Sequence, residues 1–332
     1  MGSKKRISKK IVEIIKQNFP QYNEVYDLFG GGGAISTELL LNGFDVHYND
    51  LDDFIKCAFI KSINITRDEI KQLLLSREQF EQLRQYKEQI LIKNKKISDE
   101  EKAIIQLKLL VNSFGNKCSS YLYNRKISDE KYKFAVDYIK KYDKFTGYRK
   151  VKLQPFYRVQ QLQQLQQLER LQQLELSPKH TTCLDYTSFS DLNNKLIYLD
   201  PPYENATQYG QLKARKVSKI KYKQMKDKLI NLPIGTTLED DGFVFHLKVK
   251  GNRKCMHYRD VKNQPVFDSQ KLYDWAVEMS KNNVVIISSY CISDPRFKVV
   301  YEFPNVHSAL QDGNVKNENY EKLFMVKDLN ND

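Results

Sequence analysis

Apolar residues Ile7, Ile11, Ile14 and Ile15 recur at three-to-four spacing and Pro20 follows them, which predicts an amphipathic helix at the start of the chain. Val25-Tyr26-Asp27-Leu28-Phe29 is a short apolar run that predicts a strand. Four glycines follow, then Ala34 to Leu41, a helix stopped by Gly43. Phe44 to Asp50 reads as a second strand ending in an acid. From about residue 52 to 150 the periodicity is helical, with many Lys, Glu and Gln. In residues 154–175, Leu162, Leu165, Leu168, Leu171 and Leu174 stand three apart, mostly with Gln between them. A period of three drifts around an α-helix instead of building a stripe, so this stretch is expected to be a repeat-expanded connector without a site of its own. Strand patterns return at Thr181–Asp185 and Lys195–Asp200. A helical pattern covers Ser269–Ser280, and three more strand-like runs follow at Asn283–Ser289, Phe297–Phe303 and Lys322–Val326.

Strands alternating with helices, then two strands close together, predict an α/β fold with a mostly parallel sheet and an antiparallel edge strand. In such sheets ligands gather at the carboxyl ends of the strands. The expected organisation is an α/β domain from 1–55 and 176–332, a helical region at 56–153, the Leu/Gln connector at 154–175, and a basic insertion at 204–265.

Composition narrows the function. The 332 residues are 41% hydrophobic and 29% charged, enough apolar material for a packed core and too much for a wholly disordered chain. The longest apolar runs, such as Val284 to Ile287, fall far short of the ~20 residues a bilayer span needs, so no membrane association is expected. Nor does an apolar stretch behind the N-terminus suggest a signal peptide. Cys57, Cys118, Cys183, Cys255 and Cys291 are widely spaced, which argues against a zinc ribbon or a disulfide framework and for a reducing, cytoplasmic setting. The five histidines form no metal-binding pattern, and no metal is expected. The net charge of +13 points to a polyanionic partner, with nucleic acid the commonest. Residues 204–265 hold fourteen Lys and Arg against six Asp and Glu, so eight of the thirteen net charges lie there. The richest run includes Lys213, Arg215, Lys216, Lys219 and Lys221.

Three constellations fall at predicted strand ends. Phe29 with Gly30, Gly31, Gly32 and Gly33 makes a turn whose backbone can approach a ligand closely, and Asp50 follows at the end of the next strand, where an acid can bind ribose hydroxyls. No Gly-Lys-Ser/Thr follows, so this is not a P-loop, and the spacing is not that of a dinucleotide site. Asp200-Pro201-Pro202-Tyr203 closes an apolar strand. Its prolines fix the backbone and lack N–H donors, so carbonyls and a carboxylate form a cluster of acceptors beside an aromatic ring. That cluster suits the exocyclic amino group of adenine or cytosine, whose lone pair is delocalised and must be drawn out before it can attack carbon. The third constellation, Asp185-Tyr186, places an acid where it can accept from an amino group.

These motifs resemble those of the Dam-like adenine-N6 DNA methyltransferases that use S-adenosylmethionine. Phe29 to Gly33 matches F-x-G-x-G, and Asp200 to Tyr203 matches D-P-P-Y. Gly2, Ser3 and Lys4 resemble the family's opening segment, Asn49 to Asp52 its second-strand acid, and Cys183 to Tyr186 its third-strand acid. Glu321-Lys322-Leu323-Phe324 is similar to the end of phage-type members. The resemblance covers most of 1–60, 180–208 and 267–327, in the order glycine motif first and D-P-P-Y last.

The resemblance implies a Rossmann-like methyltransferase sheet with a helical target-recognition insertion. It implies that Gly2, Ser3 and Lys4 meet the methionine end of the cofactor. Asp27, Phe29 and the four glycines would line its pocket, Asp50 would hold the ribose, and Asp185 with Tyr186 would meet the adenine. Asp200 and the Pro201 carbonyl, fixed by Pro202, would accept from the target N6 amino group, and Tyr203 would stack on a flipped base. Asn112, Asn116, Tyr121, Tyr123 and Arg125 are candidate DNA-reading residues in the central segment, and the basic run at 213–221 is a candidate phosphate contact. The expected protein is a site-specific enzyme on double-stranded DNA, a monomer or weak dimer in the cytoplasm of a bacterial or phage-infected cell, with restriction-modification, phage protection and the timing of replication left open as its role. Cytosine N4, RNA, and a non-catalytic DNA-binding role are the alternatives. One departure from phage-type members is the stretch of about sixty residues between D-P-P-Y and the next helix, read as an extra DNA-contacting element or lid.

Overall fold

The computed structural model describes residues 4–114, 118–145, 160–172, 178–204, 217–232, 236–240, 243–250, 253–260, 267–303 and 320–327. Gly2, Ser3, Asn116, Lys213, Arg215 and Lys216 lie outside the described residues, and of Lys219 only the backbone is described. The chain divides into two compact units: Met1–Pro201 with Tyr273–Asp332, and Pro202–Leu272. No helix among the described residues is long and apolar enough to cross a membrane.

The first unit opens with a 3₁₀ turn at Lys4–Arg6, then α1 (Ser8–Asn18), β1 (Glu24–Asp27), α2 (Ala34–Leu41) and β2 (Asp45–Asn49). Five helices follow: α3 (Asp53–Asn64), α4 (Arg67–Lys71), α5 (Arg77–Ile92), α6 (Asp99–Val111) and α7 (Ser128–Tyr142). The Leu/Gln stretch forms α8 (Gln160–Gln172), before β3 (His180–Thr182) and β4 (Leu196–Leu199). The second unit holds α9 (Lys219–Leu229), β5 (Thr237–Asp240), β6 (Phe243–Lys250) and β7 (Arg253–Asp260). The chain then forms α10 (Ser269–Met279), β8 (Val284–Ser289), β9 (Phe297–Phe303) and β10 (Glu321–Val326).

Seven strands make the main sheet in the order β3-β2-β1-β4-β8-β10-β9. The pairs from β3 to β8 are parallel. Strand β10 runs antiparallel between β8 and β9, so the antiparallel ladder closes that side of the sheet. Chain order reverses between β1 and β4, which is where open α/β sheets bind ligands. On one sheet face Ile11 and Ile15 of α1 and Ile35 and Leu39 of α2 pack with Val25, Val46, Leu196, Tyr198, Ile286 and Leu323. Each fully buried Leu or Ile there contributes about 2 kcal/mol of transfer free energy. On the other face, Tyr26, His47 and His180 stand opposite one another in register, their rings stacked at 4.1 and 4.7 Å.

The helices carry their own start signals. Asp52 caps α3, Ser98 caps α6, and Thr66/Glu69 and Ser76/Gln79 form complete capping boxes on α4 and α5. One helical core gathers Ile65, Ile70, Leu73, Leu107, Ala135, Ile139 and Phe145. Leu162 and Leu165 of α8 enter this same core fully buried, with Leu168 against it. The Leu/Gln stretch is therefore an integral helix over these residues, not filler. Period three turns about 60° per repeat around an α-helix, so Leu162, Leu165 and Leu168 can all meet one core.

The second unit packs α9 on a three-stranded antiparallel sheet through Met225, Leu229, Phe243, Phe245 and Met256. The Tyr222 hydroxyl donates to the Met256 carbonyl at 3.0 Å, and Lys221 pairs with Asp240 at 3.1 Å.

Candidate active site

The carboxyl ends of β1, β2 and β4 bring together residues that are distant in sequence. After β1 the chain enters the glycine turn with Gly31 at φ 51° and Gly33 at φ 71°, conformations that L side chains rarely adopt. Two rings shape the turn from below. A Cβ at Gly30 would overlap the Tyr48 ring, and one at Gly33 would overlap the Phe59 ring, whereas Gly32 faces open space. Tyr48 and Phe59 stack at 4.3 Å, and the Tyr48 hydroxyl donates to the Gly31 carbonyl at 2.6 Å. Glycine is thus required at 30 and 33 by close approach, and at 31 and 33 by backbone conformation.

Asp50 follows β2. Its Oδ2 accepts from the Gly31 N–H and its Oδ1 from the Asp52 N–H, both at 2.8 Å. Burial nevertheless pushes its carboxyl up to about 6, because two backbone donors offset only part of the desolvation cost. Each carboxylate oxygen retains a second acceptor site.

Beside it, Asn49 ties the loops together. Its Nδ2 donates to the carbonyls of Leu28 (3.0 Å) and Leu184 (2.9 Å), and its Oδ1 accepts from the Leu184 N–H (2.9 Å) and the Thr182 hydroxyl (2.8 Å). The side chain is 2% exposed and all four of its hydrogen-bonding positions are used. The strand at β3 stops at Thr182, two residues before the loop that carries Asp185. Asp185 caps a 3₁₀ turn over Tyr186–Phe189 by accepting from the Thr187 N–H at 3.0 Å. The Phe29 and Tyr186 rings lie 5.8 Å apart, and Trp275 of α10 meets Tyr186 edge-on at 5.3 Å while its indole N–H donates to the Ser190 hydroxyl. Leu51 and Leu184 are exposed next to the two acids.

Asp27 ends β1 completely buried. Ser36 of α2 donates to its Oδ2 at 2.6 Å, and its Oδ1 has no partner among the described residues. Desolvation, with the charges of Asp200 and Asp50 adding to it, drives this carboxyl up to about 7.

Asp200 follows β4. Its Oδ1 accepts from Lys4 Nζ at 2.8 Å, and the same ammonium lies 3.2 Å from Glu321 Oε2 on β10. Lys4 is 7% exposed, yet its pKa is raised, since two carboxylates outweigh the desolvation that would lower it. Pro201 is buried, while Pro202 and Tyr203, half-buried, begin the second unit.

The structure therefore gathers Lys4, Asp27, the glycines, Asp50 and Asp200 at one end of the sheet. It does not bring out all of the central-segment candidates. Asn112 is fully buried, with its amide bonded to the Leu73 and Lys108 carbonyls and to the Leu75 N–H. Tyr121 is buried, its hydroxyl donating to the Leu75 carbonyl at 2.8 Å, and Tyr123 is buried beside it. These three hold the helices together and present nothing to a base edge, which corrects the expectation placed on them. Arg125 is exposed, with Asn124 and Lys126 on either side of it. Sequence reasoning missed Asn49, Tyr48, Phe59 and Trp275 as parts of the site. Only Asn49, next to the acid, carried a local signal. An acidic group at Asp53, Cys57 and Asp99 lies near the start of α3, where Lys56 and Lys102 neutralise Asp53.

No curated protein matches the chain. The family model for D12 class N6 adenine-specific DNA methyltransferases matches residues 1–233, a span that includes the glycine turn, Asp50, Asp185 and the D-P-P-Y run. The buried acid beside the glycine turn, with spare acceptor sites, and the aromatic wall of Phe29, Tyr186 and Trp275 fit a nucleoside-bearing cofactor. The chain belongs to the D12 class N6 adenine-specific DNA methyltransferases, enzymes that move a methyl group from S-adenosylmethionine to the N6 amino group of adenine in DNA.

Proposed function

We propose that the enzyme acts at specific sites in duplex DNA, with the motif order of the Dam-like group, and that the target adenine leaves the helix to react. In a base pair one N6 hydrogen is held by thymine and the nitrogen lone pair faces the stacked neighbours, so both hydrogens can meet an acceptor cluster, and the lone pair a methyl donor, only on an extruded base. The observation that carries this reading is Asp200, held by Lys4 at 2.8 Å at the end of β4, beside the glycine turn after β1.

In this reading Asp50 holds the ribose, and Phe29, Tyr186 and the exposed Leu51 and Leu184 enclose the cofactor adenine, with Asp185 accepting from its amino group. Lys4, with Gly2 and Ser3 before it, stands at the methionine end. When bound, S-adenosylmethionine supplies a methyl group on a sulfonium sulfur, which departs with the electron pair of the broken C–S bond. Asp200 and the Pro201 carbonyl accept the two N6 hydrogens, which draws the nitrogen lone pair out of the ring and aims it. Tyr203 stacks on the extruded base. As the N–C bond forms, the nitrogen gives up one N–H proton, which passes to solvent.

Arg125 at the tip between α6 and α7 and the basic residues of the second unit supply DNA contacts, the former near bases and the latter along phosphates. Phage protection or restriction-modification is the setting that suits such an enzyme.

Purified protein, S-adenosylmethionine and unmethylated DNA, followed by digestion and nucleoside mass spectrometry, test the reading. N6-methyldeoxyadenosine with the wild type and none with Asp200→Ala supports it. Equal methylation by Asp200→Ala overturns the assignment of Asp200.

A further inference from the structure

Glu321 lies on β10, more than a hundred residues beyond the D-P-P-Y run, and is 5% exposed. A buried carboxylate costs free energy unless it is paired and hydrogen-bonded. This one is both: its Oε2 meets Lys4 Nζ at 3.2 Å and its Oε1 accepts from the Ser288 hydroxyl at 2.8 Å. Ser288, at the end of β8, is fully buried. Lys4 in turn meets Asp200 Oδ1 at 2.8 Å. The chain Ser288–Glu321–Lys4–Asp200 thus runs across the sheet from β8 and β10 to the end of β4. It engages Asp200 through Oδ1 and so limits the rotation of that carboxylate.

We propose that Glu321 is a positioning residue for methyl transfer: it holds Lys4 in place, and Lys4 fixes the rotation of the Asp200 carboxylate. The proposal rests on the reading of Asp200 as the acceptor for the target amino group. One ammonium shared by two carboxylates leaves this cluster with a net negative charge. Other groups close to Asp200 are Asp27 at the end of β1 and the Tyr198 hydroxyl on β4, and Asp50 acts on Asp27 from β2. Lys4 is in direct contact with Asp200, and Glu321 shares the same ammonium. Removing Glu321 or Lys4 therefore changes the charge felt by Asp200 in opposite directions.

The test is the pH profile of single-turnover methyl transfer by full-length enzyme on duplex DNA, for the wild type, Glu321→Gln and Lys4→Met. Glu321→Gln keeps an acceptor for Ser288 but takes away a negative charge, so the acid limb moves to lower pH, and loosened positioning lowers the plateau rate about tenfold. Lys4→Met leaves two carboxylates facing each other, and the acid limb moves to higher pH. Cofactor affinity, read by calorimetry, changes less than about threefold in Glu321→Gln, which also reports that the unit is folded. Acid limbs that stay put or move together overturn the proposal. So does a Lys4→Met variant that loses cofactor binding with no displacement of its limb, since Lys4 would then be a cofactor ligand alone. Asp200→Ala separates the two ideas: if it still transfers methyl, the underlying reading fails, whereas an inactive Asp200→Ala with unmoved limbs in the other variants sinks only the role of Glu321.

Discussion

The side-chain amide of Asn49 and the backbone of Leu184 exchange two hydrogen bonds, each 2.9 Å long, across 135 residues of sequence. Through this pair, the end of β2 holds the loop after β3 as a peptide neighbour would. The same amide reaches the Leu28 carbonyl at the entrance to the glycine turn. One buried side chain thus sets the spacing of three loops around the candidate cofactor site.

Asn49→Leu keeps the volume but strands the Leu28 and Leu184 carbonyls and the Leu184 N–H. Each unsatisfied buried group costs about 1–3 kcal/mol. Denaturant unfolding is expected to show a loss of at least about 2 kcal/mol. Asn49→Asp keeps the acceptor but loses both donors, and calorimetry should show cofactor affinity falling tenfold or more. Unaltered cofactor affinity in both variants would mean that the loops hold their positions without this amide.

The glycine turn gives a sharper contrast between neighbours. Gly33 has φ 71° and packs against the Phe59 ring, while a Cβ at Gly32 meets nothing within 4 Å. Gly33→Ala forces a left-handed alanine, at about 1–2 kcal/mol, and also displaces the ring beneath it. Gly32→Ala should change stability by less than about 0.5 kcal/mol. Thermal unfolding of the two variants checks the difference. A tolerated Gly33→Ala would show that the turn relaxes at no cost.

The frame of this site was legible because its signals are local. A strand, a glycine turn and a helix follow one another within residues 24–41, and Asp200-Pro201 closes an apolar run. What stayed hidden depends on contacts far apart in the chain. Nothing near Phe59 announces that its ring lies under Gly33, and nothing near Trp275 ties it to Tyr186. Asn112 and Tyr121 misled for the same reason, since polar and aromatic types serve a base edge and a buried network equally well. Here Leu73 and Leu75 supply their backbone partners. The D-P-P-Y motif itself straddles a boundary, with Pro201 in one unit and Tyr203 in the other.

The Leu/Gln helix yields a prediction opposite to its repetitive look. Gln161 is fully buried and donates to the Leu75 carbonyl and the Tyr121 hydroxyl, both at 3.3 Å, while Leu162 and Leu165 are fully buried and Gln167 is exposed. Leu162→Ala and Leu165→Ala should each cost about 2–5 kcal/mol, against less than about 0.5 kcal/mol for Gln167→Ala. Deleting the helix should therefore unfold the helical region, not merely shorten a linker. Urea titrations of the three point variants decide it, and equal midpoints for all three would return α8 to the status of a spacer.

Asp27 predicts a pH dependence of stability. Its carboxyl is pushed up to about 7 in the folded chain, against an ordinary value of 3.8, because burial penalises the charge by more than the Ser36 hydrogen bond supports it. A raised carboxyl binds its proton more tightly when folded. Its contribution is therefore full below about pH 4 and is lost as pH rises towards 7. Three pH units correspond to at most about 4 kcal/mol. Asp50, raised to about 6, acts in the same direction over a lower window, so the wild type should lose stability in both. Asp27→Asn removes only the component that reaches pH 7, so its stability should change less between pH 6 and 7.5 than that of the wild type. Glu69, lowered to about 2 by Lys61, works in the opposite sense, but only below about pH 4.5, outside that window. Urea unfolding at half-unit steps from pH 5 to 8 measures the difference. Parallel curves for the two proteins would mean that the Asp27 carboxyl is ionised throughout and that its unpartnered oxygen finds a donor in solution.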